Sequence, residues 1–275
     1  MQNKVDISVM GCGWLGLPLA ERLVRSGLSV NGSTTSEKKL ELLRQSGIQP
    51  FQVNLADPLL SADTLKDFLQ ADVLILNIPP KLRADGGESY LQQMTVLQKA
   101  LLQSTVSRVL FVSSTSVYPD LNRIVTEEDT SFTDERDPDN TLLKVERMFQ
   151  NSESWVCTVV RFGGLVGDSR QPGRFMAGKH DLPNGDAPVN LIHLEDCLNI
   201  LERIITEEKW GQVYNACADE HPSRRDFYVA AAKALHLEAP TFKDMEETSF
   251  KLINSQKVKD DLAYVFSYPN PMAFF

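Results

Sequence analysis

The six residues GCGWLG, Gly11 to Gly16, follow the strand-like run VDISVM and lead into the helix-like run LGLPLAERLVRSG. That order of strand, glycine turn and helix narrows the fold more than any other feature of the chain. Gly11 permits a tight turn, Gly13 lets the backbone approach a pyrophosphate, and Gly16 lets the helix pack against the strand. The N–H groups at the helix start, over Trp14, Leu15 and Gly16, would then face an anion. A glycine turn that merely packs closely is the competing explanation. The flanking strand and helix favour dinucleotide binding over it.

The alternation continues through the first half. LSVNGS, IQPFQVNL and ADVLILNIPP read as strands, and EKKLELLRQSG and SYLQQMTVLQKALLQST as helices. VSRVLFVSSTSVY reads as a buried strand running into hydroxyl-bearing residues, and WVCTVVRFGG as a further strand. Between them a polar, acidic loop is expected over 119–139, then a helix carrying Lys144. Strands alternating with helices predict a parallel sheet covered by helices. Beyond about residue 165 the pattern loosens into a Gly-, Pro- and charge-rich stretch suited to a binding loop or cap. HLEDCLNILERIITEE and HPSRRDFYVAAAKALH then read as helices, the second with Pro222 near its first turn, and GQVYNACAD as a late strand. The tail from 240 is expected to pack as a small C-terminal subdomain.

A chain of 275 residues is long enough for one large α/β domain, or for a domain with a smaller cap. Its net charge of −9 disfavours a nucleic-acid partner, which needs a basic face. It still permits a small anionic ligand, because backbone dipoles bind phosphate locally. The cysteines at 12, 157, 197 and 217 form no CxxC pair and no zinc spacing, so reduced thiols and no metal site are expected. No apolar run approaches the roughly 18 residues of a membrane span, and the N-terminus has no targeting character. A cytoplasmic protein with a small-molecule substrate and no membrane partner is the expectation.

The end of the second strand reports on the dinucleotide. An NAD site places an acidic residue there for the ribose 2′-OH, whereas the chain reads Ser33, Thr34, Thr35 and Ser36, followed by Lys38 and Lys39. Hydroxyls and ammonium groups suit the 2′-phosphate of NADP, which is therefore preferred over NAD. The alternatives are a solvated loop with Ser36 as a helix cap, or Glu37 reaching an NAD ribose.

With the glycine turn, VSSTSVY and Lys144 in order, the chain resembles the short-chain dehydrogenase/reductase superfamily. It is most similar to atypical members of the extended, NAD(P)-dependent epimerase/dehydratase type. VLFVSSTSVY resembles that branch's fifth strand, VVRFGGLVG its sixth, and VNLIHLEDC a later substrate-domain motif. The resemblance implies an α/β, Rossmann-like doubly wound parallel sheet with helices on both faces and a small C-terminal substrate-binding part. Residues 1–165 would form the NAD(P)-binding domain, and 166–275 mainly a substrate-binding cap that also completes the sheet. It further implies that Ser114, with Thr115 as second choice, lies near the substrate's hydroxyl or carbonyl. Ser113 and Phe162 would lie beside the cofactor, and Lys144 would hold the nicotinamide ribose.

In that branch a tyrosine four residues before the lysine acts as acid/base, its pKa lowered by the ammonium. Here position 140 is Asn140, and an amide exchanges no proton near neutral pH. Substitutes in the chain are Tyr118, His193 or His180, or hydride transfer with water carrying the proton. Arg170 and Arg174, with Lys179 and His180 beyond them, suit a substrate carboxylate or phosphate, or are solvated surface charges. His193 is either a substrate contact or a structural residue at a helix start. The leading reading is an NAD(P)-dependent oxidoreductase or epimerase-like enzyme acting on a small polar metabolite, such as a sugar or nucleotide-sugar derivative. The alternative is a catalytically silent NAD(P)-binding sensor or scaffold, with a lyase or isomerase as a third option. A homodimer through surface helices is compatible with the resemblance, and no residue pattern demands it.

Overall fold

The computed structural model describes residues 4–80, 86–137, 139–167, 169–244 and 248–275, with the backbone alone at 135 and 136. Its strands in the first part of the chain are β1 (Val5–Met10), β2 (Val30–Thr34), β3 (Gln49–Gln52), β4 (Ala71–Leu76) and β5 (Arg108–Ser114). Then come β6 (Ile124–Val125), β7 (Val156–Phe162), β8 (Gly164–Val166), β9 (Leu191–His193), β10 (Val213–Ala216) and β11 (Leu252–Ile253). The helices are α1 (Gly16–Arg25), α2 (Leu40–Gln45), α3 (Ala62–Phe68), α4 (Glu88–Leu101) and α5 (Thr130–Arg136). They continue with α6 (Thr141–Gln150), α7 (Gly173–Met176), α8 (Leu194–Thr206), α9 (Arg224–Ala234) and α10 (Gln256–Asp261).

Seven strands form one sheet in the order β3-β2-β1-β4-β5-β7-β10. β1 runs parallel to both β2 and β4, with Ile7 opposite Val30 and Val9 opposite Ile75. The chain thus winds outward from β1 in both directions, a Rossmann-like α/β fold flanked by helices. The order reverses between β1 and β4, and ligands of such sheets bind at the carboxyl ends of strands at that point. β4 reads ADVLIL because a central parallel strand is covered on both faces, and Leu74, Ile75 and Leu76 are all buried. α1 buries Leu19, Ala20 and Leu23 along one stripe and ends where Gly27 takes a positive φ of 89°.

Contacts divide the chain into two compact units. The first comprises residues 1–113, 139–160 and 204–213, and the second 114–138, 161–203 and 214–275. The tail belongs to the second unit, where β11 pairs with β6. The polar stretch 119–139 contains β6 and α5 as well as loop. A strand of two residues has no periodicity to read, which is why the sequence suggested only a loop. α3 is an element beyond those expected from the sequence. In the Gly- and Pro-rich stretch the described residues form the one-turn α7 and isolated bridges. There Gly173 lies against the Ala231 backbone of α9, where a side chain would not fit. No helix among the described residues is long and apolar enough to cross a membrane.

Candidate functional site

In the first unit, a cavity of about 510 Å³ opens where β1, β2, β3 and β4 end, lined by Gly11, Gly13, Thr34, Asn54 and Asn77 among others. The glycine turn is pinned from two sides. The Gly11 N–H donates to Ser33 Oγ at 2.9 Å, and Asn77 Nδ2 donates to Gly11 O at 3.1 Å. Gly11 has φ of 101°, and a Cβ there would lie 2.5 Å from the Asn77 carbonyl oxygen. A Cβ at Gly16 would collide with the Gly11 carbonyl, which is the close helix–strand contact that the sequence predicts. A Cβ at Gly13 would meet nothing within 4 Å. The turn therefore presents bare backbone to open space at the start of α1, as a pyrophosphate requires. Tyr90 lines the same cavity, and its buried hydroxyl has no hydrogen-bond partner among the described residues. An unsatisfied buried donor of this kind fits a ligand oxygen. Gly13→Ala should fold as the wild type does, since φ is ordinary and space is free, but weaken dinucleotide binding by about tenfold or more. Thermal melting and cofactor titration check the two halves of that expectation.

Leu15 and Cys12 are buried at 3% and 4% exposure, so both support the turn from beneath. Burial pushes the Cys12 thiol up to about 12, which disfavours the nucleophilic thiolate. At the end of β2, the Thr34 hydroxyl accepts the Ser36 N–H at 3.1 Å, which fixes the oxygen and leaves its own proton to donate. Thr35 and Lys39 line the cavity alongside it. Lys38, Ser36 and Glu37 are not among the lining residues, and Glu37 and Lys38 are exposed on a short 3-10 turn. Of the two lysines that the sequence offers for a 2′-phosphate, Lys39 is the one whose residue lines the cavity.

Asn140 has a local reason to exist. It is the N-cap of α6, its side-chain oxygen accepting the Leu143 N–H at 3.0 Å. Lys144 points to Asp139 at 2.7 Å, with 46% of its side chain exposed, and does not line the glycine-turn cavity. Lys144 in turn holds the Asp139 carboxyl below the usual carboxylate range. Ser113 donates its hydroxyl to Glu146, which α6 buries completely. That Ser113 contact is internal to the protein and does not point into the cavity.

The second unit has its own cavity, of about 390 Å³, lined by Ser114, Thr115, Asp120, Asn190, Arg224 and Lys251 among others. Ser114 caps the 3-10 turn that ends β5, and its oxygen accepts the Ser116 N–H at 3.1 Å. A hydroxyl that accepts in this way keeps its own proton to donate. Lys251 donates to the Tyr118 carbonyl at 2.7 Å and to Asp120 Oδ1 at 3.1 Å. The strand carrying it is fixed by Asn190, whose amide donates to the Lys251 carbonyl at 2.9 Å and accepts the Ile253 N–H at 2.9 Å. No sequence motif assigns a role to Lys251, Asp120, Asn190 or Arg224. Asp120 and Lys251 are 131 positions apart and meet because residues 120–125 pair with 249–253.

The proposed substitutes for the tyrosine are occupied elsewhere. Tyr118 is buried, donating to Asn215 at 2.8 Å and accepting from Arg161, with burial raising its pKa to about 12 against the pull of Arg161. It is a structural residue. His193 stacks on Tyr268 at 3.9 Å and accepts the Glu195 N–H at 3.2 Å, so it caps the start of α8 and does not line the Ser114 cavity. His180 is exposed and lies 3.5 Å from Glu238. Arg170 donates to the Leu165 carbonyl and Arg174 to Gln171; both are exposed and belong to their own loop, of which Asp168 lies outside the described residues. Phe162 is core, 1% exposed in β7. Asp196 of the LEDC motif is also structural. It accepts hydrogen bonds from the Tyr264 hydroxyl and the Ser267 and Tyr268 N–H groups at 2.6, 2.7 and 3.0 Å.

Residues 7–217 match the family described as NAD dependent epimerase/dehydratase. The chain belongs to that family. Its members take a nicotinamide dinucleotide, and the bare backbone at Gly13 and the orphan Tyr90 hydroxyl fit one. The chain is 34% identical to the protein YeeZ of Escherichia coli K12, over 97% of each. Among solved structures, a UDP-glucose 4-epimerase with UDP-glucose from Thermotoga maritima matches with a TM-score of 0.72 at 12% identity, over 98% of this chain and 97% of that one. MoeE5 in complex with UDP-glucose and NAD matches with a TM-score of 0.73 at 16% identity, over 98% and 96%. At such identities these two establish the shared fold.

Proposed function

We propose that the protein is an NAD(P)-dependent oxidoreductase or epimerase-like enzyme that acts on a small polar metabolite of the sugar type, with Lys251 in place of the missing tyrosine. The observation that carries this is the single cavity on which Ser114, Thr115, Asp120 and Lys251 converge. A bound nicotinamide supplies or removes the hydride. Ser114 donates its hydroxyl to the reacting oxygen and orients it. An ammonium has three N–H donors, and two of those on Lys251 are held by Tyr118 and Asp120. The third is left for the substrate oxygen, giving up its proton as the carbonyl becomes a hydroxyl and taking it back in reverse. Asp120 keeps the amine oriented between the two events.

The cofactor reading is NADP over NAD, carried by Thr35 and Lys39 at the cavity rim and by the lack of an acidic group among the described residues that line it. Lys39→Glu should reverse the preference, weakening NADPH by about tenfold while leaving NADH nearly unchanged. Parallel titrations with the two cofactors measure this, and an unaltered ratio would remove Lys39 from the account.

The function itself is tested by a turnover screen of aldoses, ketoses, their acids and UDP-glucose with NADPH or NADP, together with product analysis for redox-neutral isomers. Conversion of one class supports the reading. Cofactor binding with no conversion anywhere would instead favour a silent sensor, in which Asn140 marks the loss of the proton relay.

A further inference from the structure

We infer that Arg224 anchors an anionic group of the substrate, a carboxylate or a phosphate monoester; the inference rests on reading the Ser114 cavity as the substrate site. Arg224 is the first residue of α9, just after the N-cap Ser223, and its N–H donates to the Ala187 carbonyl at 2.8 Å. Its guanidinium carbon lies 5.9 Å from the centre of the Tyr228 ring, and both residues line the cavity. The Nε atom is buried and has no hydrogen-bond partner among the described residues. No carboxylate among them pairs with the guanidinium.

Other cations of the second unit make the contrast. Arg225 reaches Asp186 at 3.6 Å and Asp244 at 2.9 Å, Arg123 reaches Asp129 at 2.8 Å, and Lys251 reaches Asp120. In a chain with net charge −9, carboxylates are abundant, yet this partly buried arginine is left to the cavity. A desolvated cation is costly unless an anion completes it. The planar guanidinium fork matches carboxylate and phosphate oxygens two at a time. The positive end of the α9 dipole adds to the attraction. The cavity volume of about 390 Å³ sits at the small end of the usual range for ligand sites. It therefore suits one compact anionic metabolite. This moves anion recognition from the surface pair Arg170 and Arg174 to Arg224.

The test is calorimetric titration of the full chain, with and without NADPH, using glucose, glucuronate, glucose 6-phosphate and UDP-glucose as probes. Glucuronate or glucose 6-phosphate is expected to bind at least about tenfold more tightly than glucose, and which of the two does so separates carboxylate from phosphate recognition. That preference should vanish in Arg224→Gln and persist in Lys233→Gln, an exposed cation change on the same helix. Arg224→Lys, which keeps the charge and loses the fork, carries the test if the glutamine variant does not fold. Equal binding of all sugars, no binding of any, or a preference that survives the Arg224 variants overturns the inference. So does Arg224-dependent binding of UDP-glucose alone, which would assign the residue to a diphosphate. Nicotinamide fluorescence on the same samples separates the failures: loss of NADPH binding by the wild type sinks the enzyme reading. Intact NADPH binding without anion preference sinks only the Arg224 assignment.

Discussion

Lys251→Met is expected to lower kcat by about 10²–10⁴, the span typical of a removed general acid or base, while leaving dinucleotide affinity unchanged. Methionine keeps the length and apolar stem of lysine, so the strand position set by Asn190 should survive. The donor to the Tyr118 carbonyl and to Asp120 disappears with the ammonium. A residue that only holds the strand would show its loss in melting temperature and KM. A proton-transfer group shows it in kcat, with the melting temperature close to wild type. Asp120→Asn should give a smaller loss in the same direction, because the amine remains and only its orientation weakens. Turnover by Lys251→Met within a few-fold of wild type would return the proton to water.

Asp196→Ala should produce the largest loss of stability of any single change considered. The carboxyl is fully buried and accepts three hydrogen bonds, from Tyr264, Ser267 and Tyr268. Alanine leaves those three donors facing a small apolar void. Buried donors left unsatisfied cost about 1–3 kcal/mol each, and partial relaxation with water entry lowers the sum to roughly 3–5 kcal/mol. For a chain of this size that corresponds to a fall in melting temperature of roughly 6–20 °C. Asp196→Asn keeps the oxygen that receives Tyr264 and Ser267 and should lose less than half as much. The segment released is the tail that follows the Lys251 strand within the second unit. A destabilisation below about 1 kcal/mol would show that the LEDC carboxyl is not the anchor described.

The sheet and the glycine turn were legible in the sequence because their causes are local. A run such as VLIL is buried on both faces wherever a central parallel strand forms, and GCGWLG carries its own geometry through three glycine positions. The second cavity was not legible. Its lysine and aspartate come from segments whose mutual pairing involves the two-residue strands Ile124–Val125 and Leu252–Ile253, too short to carry a period. Arg224 and Arg225 are adjacent in sequence, and nothing in SRRDF says that one is paired and the other faces a cavity. Lys38 and Lys39 pose the same difficulty, since a 3-10 turn moves successive side chains by about a third of a circle. Asn140 stands out in sequence against a family pattern, whereas its structural role, capping α6, is one that the residue type alone would suggest.

The turn at Gly11–Gly16 has the geometry of a working dinucleotide site. The most direct measurement is a titration of purified, cofactor-stripped protein with NADPH and with NADH, following nicotinamide fluorescence. Saturable binding of both at roughly micromolar levels is expected, tighter for NADPH, with binding of both weakened about tenfold or more in Gly13→Ala at unchanged melting temperature. Absence of binding at millimolar concentration of either cofactor would contradict it, and the family relationship would then describe ancestry and fold alone.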